Sequence, residues 1–168
     1  GSGCISISLL KKHPKIHATG TDISEEALAL TEENARIHKV ENRLALKNEG
    51  LWWHLDQEFD LIVSNPPYIP LDQKENLEPE VVDFEPHEAL FGRDHDGLRF
   101  YRKLSETAMD LFGSTGGYIA LEVGDGQAQP VREIFEQAGW QKLHIEKDVN
   151  GNFRVVSAFW HKKQLSKP

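Results

Sequence analysis

Strand-length apolar runs alternate with helix-length amphipathic segments along almost the whole chain, and this alternation leaves few folds open to it. Residues 4–12 carry Ile5, Leu9 and Leu10 at helical spacing and stop at His13-Pro14, because proline disfavours helical backbone in the residue before it. Ile16 to Thr21 reads as a strand that finishes at Asp22. Ser24 then has the chemistry of an N-cap, with Glu25 and Glu26 where the helix dipole favours acids. That helix is expected to run to about His38, with Ala27, Leu28, Thr31 and Ala35 on one face. Further strands are expected over residues 44–47, 59–64, 117–123, 140–147 and 153–160. Two more helices are expected, one marked by Leu98, Tyr101, Ser105, Ala108 and Phe112 and one from Pro130 that buries Val131, Ile134, Phe135 and Ala138. Asn150-Gly151 between the last two strands signals a hairpin. The order implies an α/β fold: a doubly wound, mostly parallel sheet closed by a C-terminal antiparallel hairpin.

No repeat or linker divides the sequence, and 168 residues suit one domain over residues 1–168. Residues 71–94 hold many carboxylates and little periodicity, which reads as a long functional loop. A net charge of −8 would repel a phosphate backbone, so nucleic acid is not an expected partner. The longest apolar runs are strand-sized, so no membrane-crossing helix is expected, and no charged-then-apolar leader opens the chain. The single cysteine, Cys4, excludes internal disulfides, fits a reducing, cytoplasmic setting, and reads as a small packing residue. The eight histidines lack close metal-ligand spacing, and His87, Asp94, His95 and Asp96 read as solvated loop residues rather than a metal set.

The segment that carries chemistry is Asn65-Pro66-Pro67-Tyr68, directly after the apolar run Phe59–Ser64. In parallel α/β sheets, ligands bind at this carboxyl end of the strands. Neither proline has an N–H, so the pair stiffens the turn without adding donors. Asn65 Oδ1 and the Pro66 carbonyl can each accept one hydrogen of a planar –NH2 group, and Tyr68 can pack on the flat face of that group. A bare Pro-Pro would be an ordinary strand exit; the full tetrapeptide after an apolar strand is far more specific.

A second group of residues suits a nucleoside-bearing cofactor. Gly1-Ser2-Gly3 lets the main chain approach a ligand, and a helix with free N–H groups follows. Asp22 stands 19 residues after Gly3 at a strand end, where an acid accepts hydrogen bonds from both ribose hydroxyls. Glu49-Gly50-Leu51 would border the base, and Trp52 and Trp53 would line its pocket or pack under the sheet. A dinucleotide fingerprint wants glycine or alanine three residues after Gly3, and Ser6 stands there. S-adenosylmethionine (SAM), which has no phosphate, needs only the glycine turn and the acid.

These residues resemble the class I SAM-dependent methyltransferases, which are Rossmann-like, and within them the release-factor glutamine N5-methyltransferases. Gly1-Ser2-Gly3-Cys4-Ile5 is similar to the back half of their glycine motif, Thr21-Asp22-Ile23-Ser24 to their ribose-binding strand end, and Asn65-Pro66-Pro67-Tyr68-Ile69 to their substrate motif. Adenine-N6 and ribosomal-RNA methyltransferases share Asn-Pro-Pro-Tyr; Phe84–Gly92, Asp96-Gly97-Leu98, Glu122-Val123-Gly124 and Phe153–Val156 discriminate better. The resemblance implies SAM as cofactor, held by Gly1, Ser2, Gly3, Asp22, Ile23, Glu49, Leu51 and Asn65. It implies methyl transfer to the glutamine of a release factor's Gly-Gly-Gln loop, with Asn65, Pro66, Pro67 and Tyr68 holding the substrate and no metal required. A monomeric cytoplasmic enzyme is expected. The first strand and a helical release-factor-binding domain are expected upstream of Gly1. Two rival readings are an adenine-N6 nucleic-acid methyltransferase, whose mark would be a basic groove, and a binding module that has lost SAM affinity.

Overall fold

The computed structural model describes residues 1–50, 57–70 and 94–161, which fall into two compact units, one on each side of residues 51–56. The first unit contains α1 (Cys4–Lys12), β1 (Ala18–Asp22), α2 (Glu25–Ile37), a 3₁₀ turn (Glu41–Arg43) and β2 (Leu44–Asn48). β1 and β2 pair in parallel with Ala18 opposite Leu44 and Asp22 opposite Asn48. Ile7, Leu10, Ala35 and Val40 form the core, with Ala18 and Leu44 packed against it. Ser24 caps α2 as its residue type suggests, its Oγ accepting from Ala27 N at 3.2 Å.

Two local findings differ from expectation in this unit. Ile7 and Leu10, not Ile5 and Leu9, carry the buried face of α1, since Ile7 is the residue in the Ala35–Val40 cluster; Ile5 and Cys4 are exposed, so Cys4 is not a packing residue. At the end of α2, Lys39 takes a left-handed conformation (φ 58°) usually left to glycine. There Lys39 N donates to Arg36 O and Val40 N to Ala35 O, both at 3.0 Å, a complete Schellman motif. Burial of Val40 against Ala35 supplies the hydrophobic contact that accompanies it. The end of α1 is held differently: Arg43 donates to the carbonyls of Leu10 (2.8 Å), His13 and Ile16 (both 3.1 Å).

The second unit contains β3 (Leu61–Ser64), α3 (Arg99–Thr107), a 3₁₀ turn (Ala108–Leu111), β4 (Gly117–Glu122), α4 (Ala128–Gln137), β5 (Gln141–Lys147) and β6 (Phe153–Trp160). Its sheet has the order β3-β4-β6-β5, with β3 parallel to β4 and both β4 and β5 antiparallel to β6. The α/β class and the C-terminal hairpin are as expected. Among the described residues the strands form two hydrogen-bonded sheets, the first parallel and the second mixed, because β6 of the hairpin lies between β4 and β5. The strand expected from Phe59 begins at Leu61; Phe59 makes an isolated bridge to Phe112. The helix expected to reach Phe112 tightens to 3₁₀ after Thr107.

Tyr101, Leu104, Val131, Phe135, Trp140 and Val156 are among the buried residues of this unit, and burying a large apolar side chain contributes about 1.5–3 kcal/mol. Trp140 packs on Phe135 (centroids 5.1 Å apart) and donates its indole N–H to Ser105 O at 2.9 Å. Gly139 (φ 90°) ends α4 in a second Schellman motif, with Trp140 N bonded to Phe135 O. In the hairpin, the Asp148 carboxylate accepts from the N–H groups of Asn150 and Asn152, both at 2.9 Å, and these bonds hold its pKa below the ordinary value.

Candidate functional site

The first unit brings the glycine turn and the strand-end acid together. Gly3 (φ 77°) precedes α1, and a Cβ there would lie 2.6 Å from Thr31 Cγ2, so only glycine fits. Side chains of α2 hold this turn: Thr31 Oγ1 donates to Gly1 O at 2.7 Å and Asn34 Nδ2 to Ser2 O at 3.0 Å. With these carbonyls engaged, the turn has a fixed path. Asp22 ends β1, where its Oδ1 accepts from Ser24 N at 2.9 Å and its Oδ2 from the Gly1 amino group. Its carbonyl accepts from Glu49 N at 3.0 Å, which fixes Glu49 just beyond β2. Ile23 is 54% exposed beside it, next to Gly50. Gly1, Ser2, Gly3, Asp22, Ile23 and Glu49 therefore all stand in this unit. Leu51, Trp52, Trp53 and the Phe84–Gly92 block lie outside the described residues. An open groove of about 540 Å³ between α2 and β2, lined by Glu25, Leu28, Glu32, Glu41 and Leu46, includes neither Asp22 nor the glycine turn.

The second unit carries the Asn65–Tyr68 segment. Ser64 pairs with Leu121 in the parallel β3–β4 register, so Asn65 emerges at the carboxyl edge of that pair. Asn65 is exposed, Pro66 is buried, and Pro67 and Tyr68 are half-buried. The Tyr68 carbonyl accepts from Gln127 Nε2 at 2.8 Å, and Gln127 Oε1 accepts from Gly124 N at 3.0 Å. A Cβ at Gly124 would sit 2.8 Å from Tyr68 Cδ2, and one at Gly97 (φ 69°) would sit 2.1 Å from Tyr68 O. The Tyr101 hydroxyl donates to Glu122 O at 2.8 Å, and burial, helped by Tyr68 and Glu122, raises its pKa so that it stays a donor.

Before α3, Asp96 Oδ1 accepts from Leu98 N at 3.0 Å, and both Asp96 oxygens accept from Arg102. The guanidinium holds the Asp96 carboxyl well below the usual range. Burial and the neighbouring Asp96 push Asp94 the other way. Among the described residues no three His, Cys, Asp or Glu side chains cluster so as to hold a metal. No described helix is long and apolar enough to cross a membrane.

Sequence reasoning missed the holders of both segments. Thr31 reads as one more core position of α2, yet its hydroxyl ties the glycine turn. Gln127 carries no local signal beyond standing three residues after Gly124 at the start of α4.

Residues 1–83 match the family described as methyltransferase small domain. The chain is 42% identical over 160 residues to a release factor glutamine methyltransferase from Fusobacterium nucleatum, covering 94% of this chain and 44% of that one. It is 43% identical over 157 residues to a release factor glutamine methyltransferase from Geobacter sulfurreducens, covering 93% and 54%. The chain thus spans about half the length of these curated relatives. A solved methyltransferase from Pyrococcus furiosus superposes with a TM-score of 0.68 at 20% identity, over 95% of this chain and 70% of that one.

The fold is that of a class I SAM-dependent methyltransferase. Within that class, the chain is similar over nearly its whole length to release factor glutamine methyltransferases.

Proposed function

We propose that this chain is the catalytic part of a SAM-dependent enzyme that methylates the side-chain nitrogen of the glutamine in a release factor's Gly-Gly-Gln loop. One observation carries the reading: an exposed Asn65 amide precedes a partly buried, proline-stiffened turn at the carboxyl end of β3. The names of the relatives support glutamine as the acceptor.

The first unit fits SAM. Asp22 is a strand-end carboxylate whose Oδ1 is held by Ser24 N at 2.9 Å, which orients the group toward the two hydroxyls of a ribose diol. Gly1, Ser2 and Gly3 would approach the amino-acid end, and Ile23, Glu49 and Leu51 would border the nucleoside. When bound, SAM supplies its methyl group as a sulfonium electrophile. Asn65 Oδ1 and the Pro66 carbonyl would accept the two N–H hydrogens of the substrate glutamine, turning its nitrogen lone pair outward. Positive charge grows on that nitrogen during transfer, and these two acceptors stabilise it. Tyr68 would pack on the amide plane. The nitrogen then releases a proton to water, so positioning and electrostatics supply most of the rate and no strong base is needed. The enzyme would act as a cytoplasmic monomer in translation termination.

The test is to incubate the full-length protein with recombinant release factor and methyl-labelled SAM and to map the label by mass spectrometry. Label on the loop glutamine, lost when that glutamine becomes alanine, is the expected result. Label on adenine of added DNA or RNA would overturn the glutamine reading and leave the fold intact.

A further inference from the structure

We infer that Gln127 is a positioning residue that holds the Asn65–Tyr68 turn in its working geometry through the main-chain carbonyl of Tyr68, an inference that rests on reading that turn as the amide-binding segment. Pro66 and Pro67 have no N–H, so the turn has two fewer donors of its own with which to anchor itself. Three residues after Asn65, the Tyr68 carbonyl is bound by Gln127 Nε2 at 2.8 Å. The same nitrogen reaches Asp96 O at 3.3 Å, and Oε1 accepts from Gly124 N at 3.0 Å. One side chain therefore ties together the segment after β3, the segment before α3 and the segment after β4.

An amide is the side chain these partners require. Two carbonyl oxygens need a donor and one N–H needs an acceptor, which a primary amide meets from one end. A glutamate would keep an acceptor for Gly124 and turn a second one toward the Tyr68 carbonyl. The surrounding backbone makes room for this contact. A Cβ at Gly97 would lie 2.9 Å from Gln127 Nε2, and one at Gly124 would lie 2.8 Å from Gln127 Oε1. Gln127 is itself anchored, because its carbonyl accepts from Val131 N at 2.9 Å at the start of α4. A shift of about 1 Å in a group that positions a substrate can cost on the order of a hundredfold in rate, so a loosened Tyr68 carbonyl would register in turnover.

The experiment measures release-factor methylation and SAM binding by the full-length protein and by its Gln127→Leu, Gln127→Glu and Gly124→Ala variants. Gln127→Leu and Gln127→Glu should each lower kcat by about tenfold or more while SAM affinity stays within about twofold. Gly124→Ala should give the same pattern, because its Cβ displaces both the Gln127 amide and the Tyr68 ring. Wild-type kcat in a folded Gln127→Leu protein overturns the inference. So does a parallel loss of kcat, SAM affinity and melting temperature, which marks a merely structural cap on α4. If Gln127→Leu does not fold, Gln127→Glu decides alone: wild-type kcat there overturns the inference. If the wild-type protein methylates adenine instead of glutamine, the substrate reading fails, while a tenfold drop of the variants on that acceptor still supports the positioning role.

Discussion

Thr31 Oγ1, in the middle of α2, donates a 2.7 Å hydrogen bond to the carbonyl of Gly1, 30 residues earlier in the chain. The methyl group of the same side chain would meet any Cβ placed on Gly3. Thr31 thus fixes the glycine turn twice, by a bond and by exclusion. Thr31→Val keeps the exclusion and loses the bond. A neutral hydrogen bond is worth about 1 kcal/mol, so SAM affinity should fall roughly fivefold, measured by calorimetry. Asp22→Ala should fall further, by about 1.5–3 kcal/mol, because a charged acceptor is lost. Equal affinity in both variants and the wild type would remove this turn and acid from the cofactor site.

Asn65→Ala should reduce turnover on the order of a hundredfold or more with a much smaller effect on SAM affinity, since losing a preorganised polar contact in a closed site costs that much. Asn65→Asp keeps an acceptor oxygen at nearly the same place but adds a charge that must be desolvated. Its rate should lie between alanine and wild type. Single-turnover methylation checks the order of the three.

Lys39 stands in the left-handed region with φ 58°, a conformation that costs an L-residue about 1–2 kcal/mol. Lys39→Gly removes that cost and gives back part of it as extra unfolded-chain entropy. A net gain of about 0.5–1 kcal/mol is expected in urea unfolding, with the Schellman bonds intact. A loss of stability would mean that the lysine side chain itself makes a stabilising contact.

The Asp96–Arg102 pair predicts a pH effect of definite sign. Arg102 lowers the Asp96 pKa in the folded state, below the unfolded value of 3.8. The folded state therefore binds that proton less readily than the unfolded chain. The pair's contribution is present above about pH 4 and is lost as pH falls through the lowered value. Asp96→Asn should flatten the acid side of the stability–pH curve below pH 4 and leave its slope at neutral pH unchanged. Both partners are about half exposed, so solvent screening keeps the effect modest.

What was legible in the sequence was local. Ser24 caps α2 through a hydroxyl three residues from its donor, and Asn150-Gly151 turns the hairpin with Gly151 at φ 87°. Asp22 and Asn65 sit at strand ends because the alternation places strand ends there. The bond from Gln127 to Tyr68 spans 59 residues, and no short-range pattern announces it. The α1 face was misread for a related reason. Ile5, Leu9 and Leu10 share a helical stripe, but which stripe is buried depends on where Ala35 and Val40 lie. Lys39 was equally opaque, since a left-handed helix end is expected of glycine and tertiary packing of Val40 overrode that preference.

Arg43 has a consequence for how the first unit comes apart. Its guanidinium gathers carbonyl oxygens from Leu10, His13 and Ile16 while its own backbone leads straight into β2. The last turn of α1 cannot fray without releasing these bonds, and β2 cannot leave β1 without pulling the guanidinium away from them. A helix end and a strand start, thirty-three residues apart between Leu10 and Arg43, therefore open in one step. Amide protons in the two elements should exchange with solvent as a single population rather than in sequence from the ends.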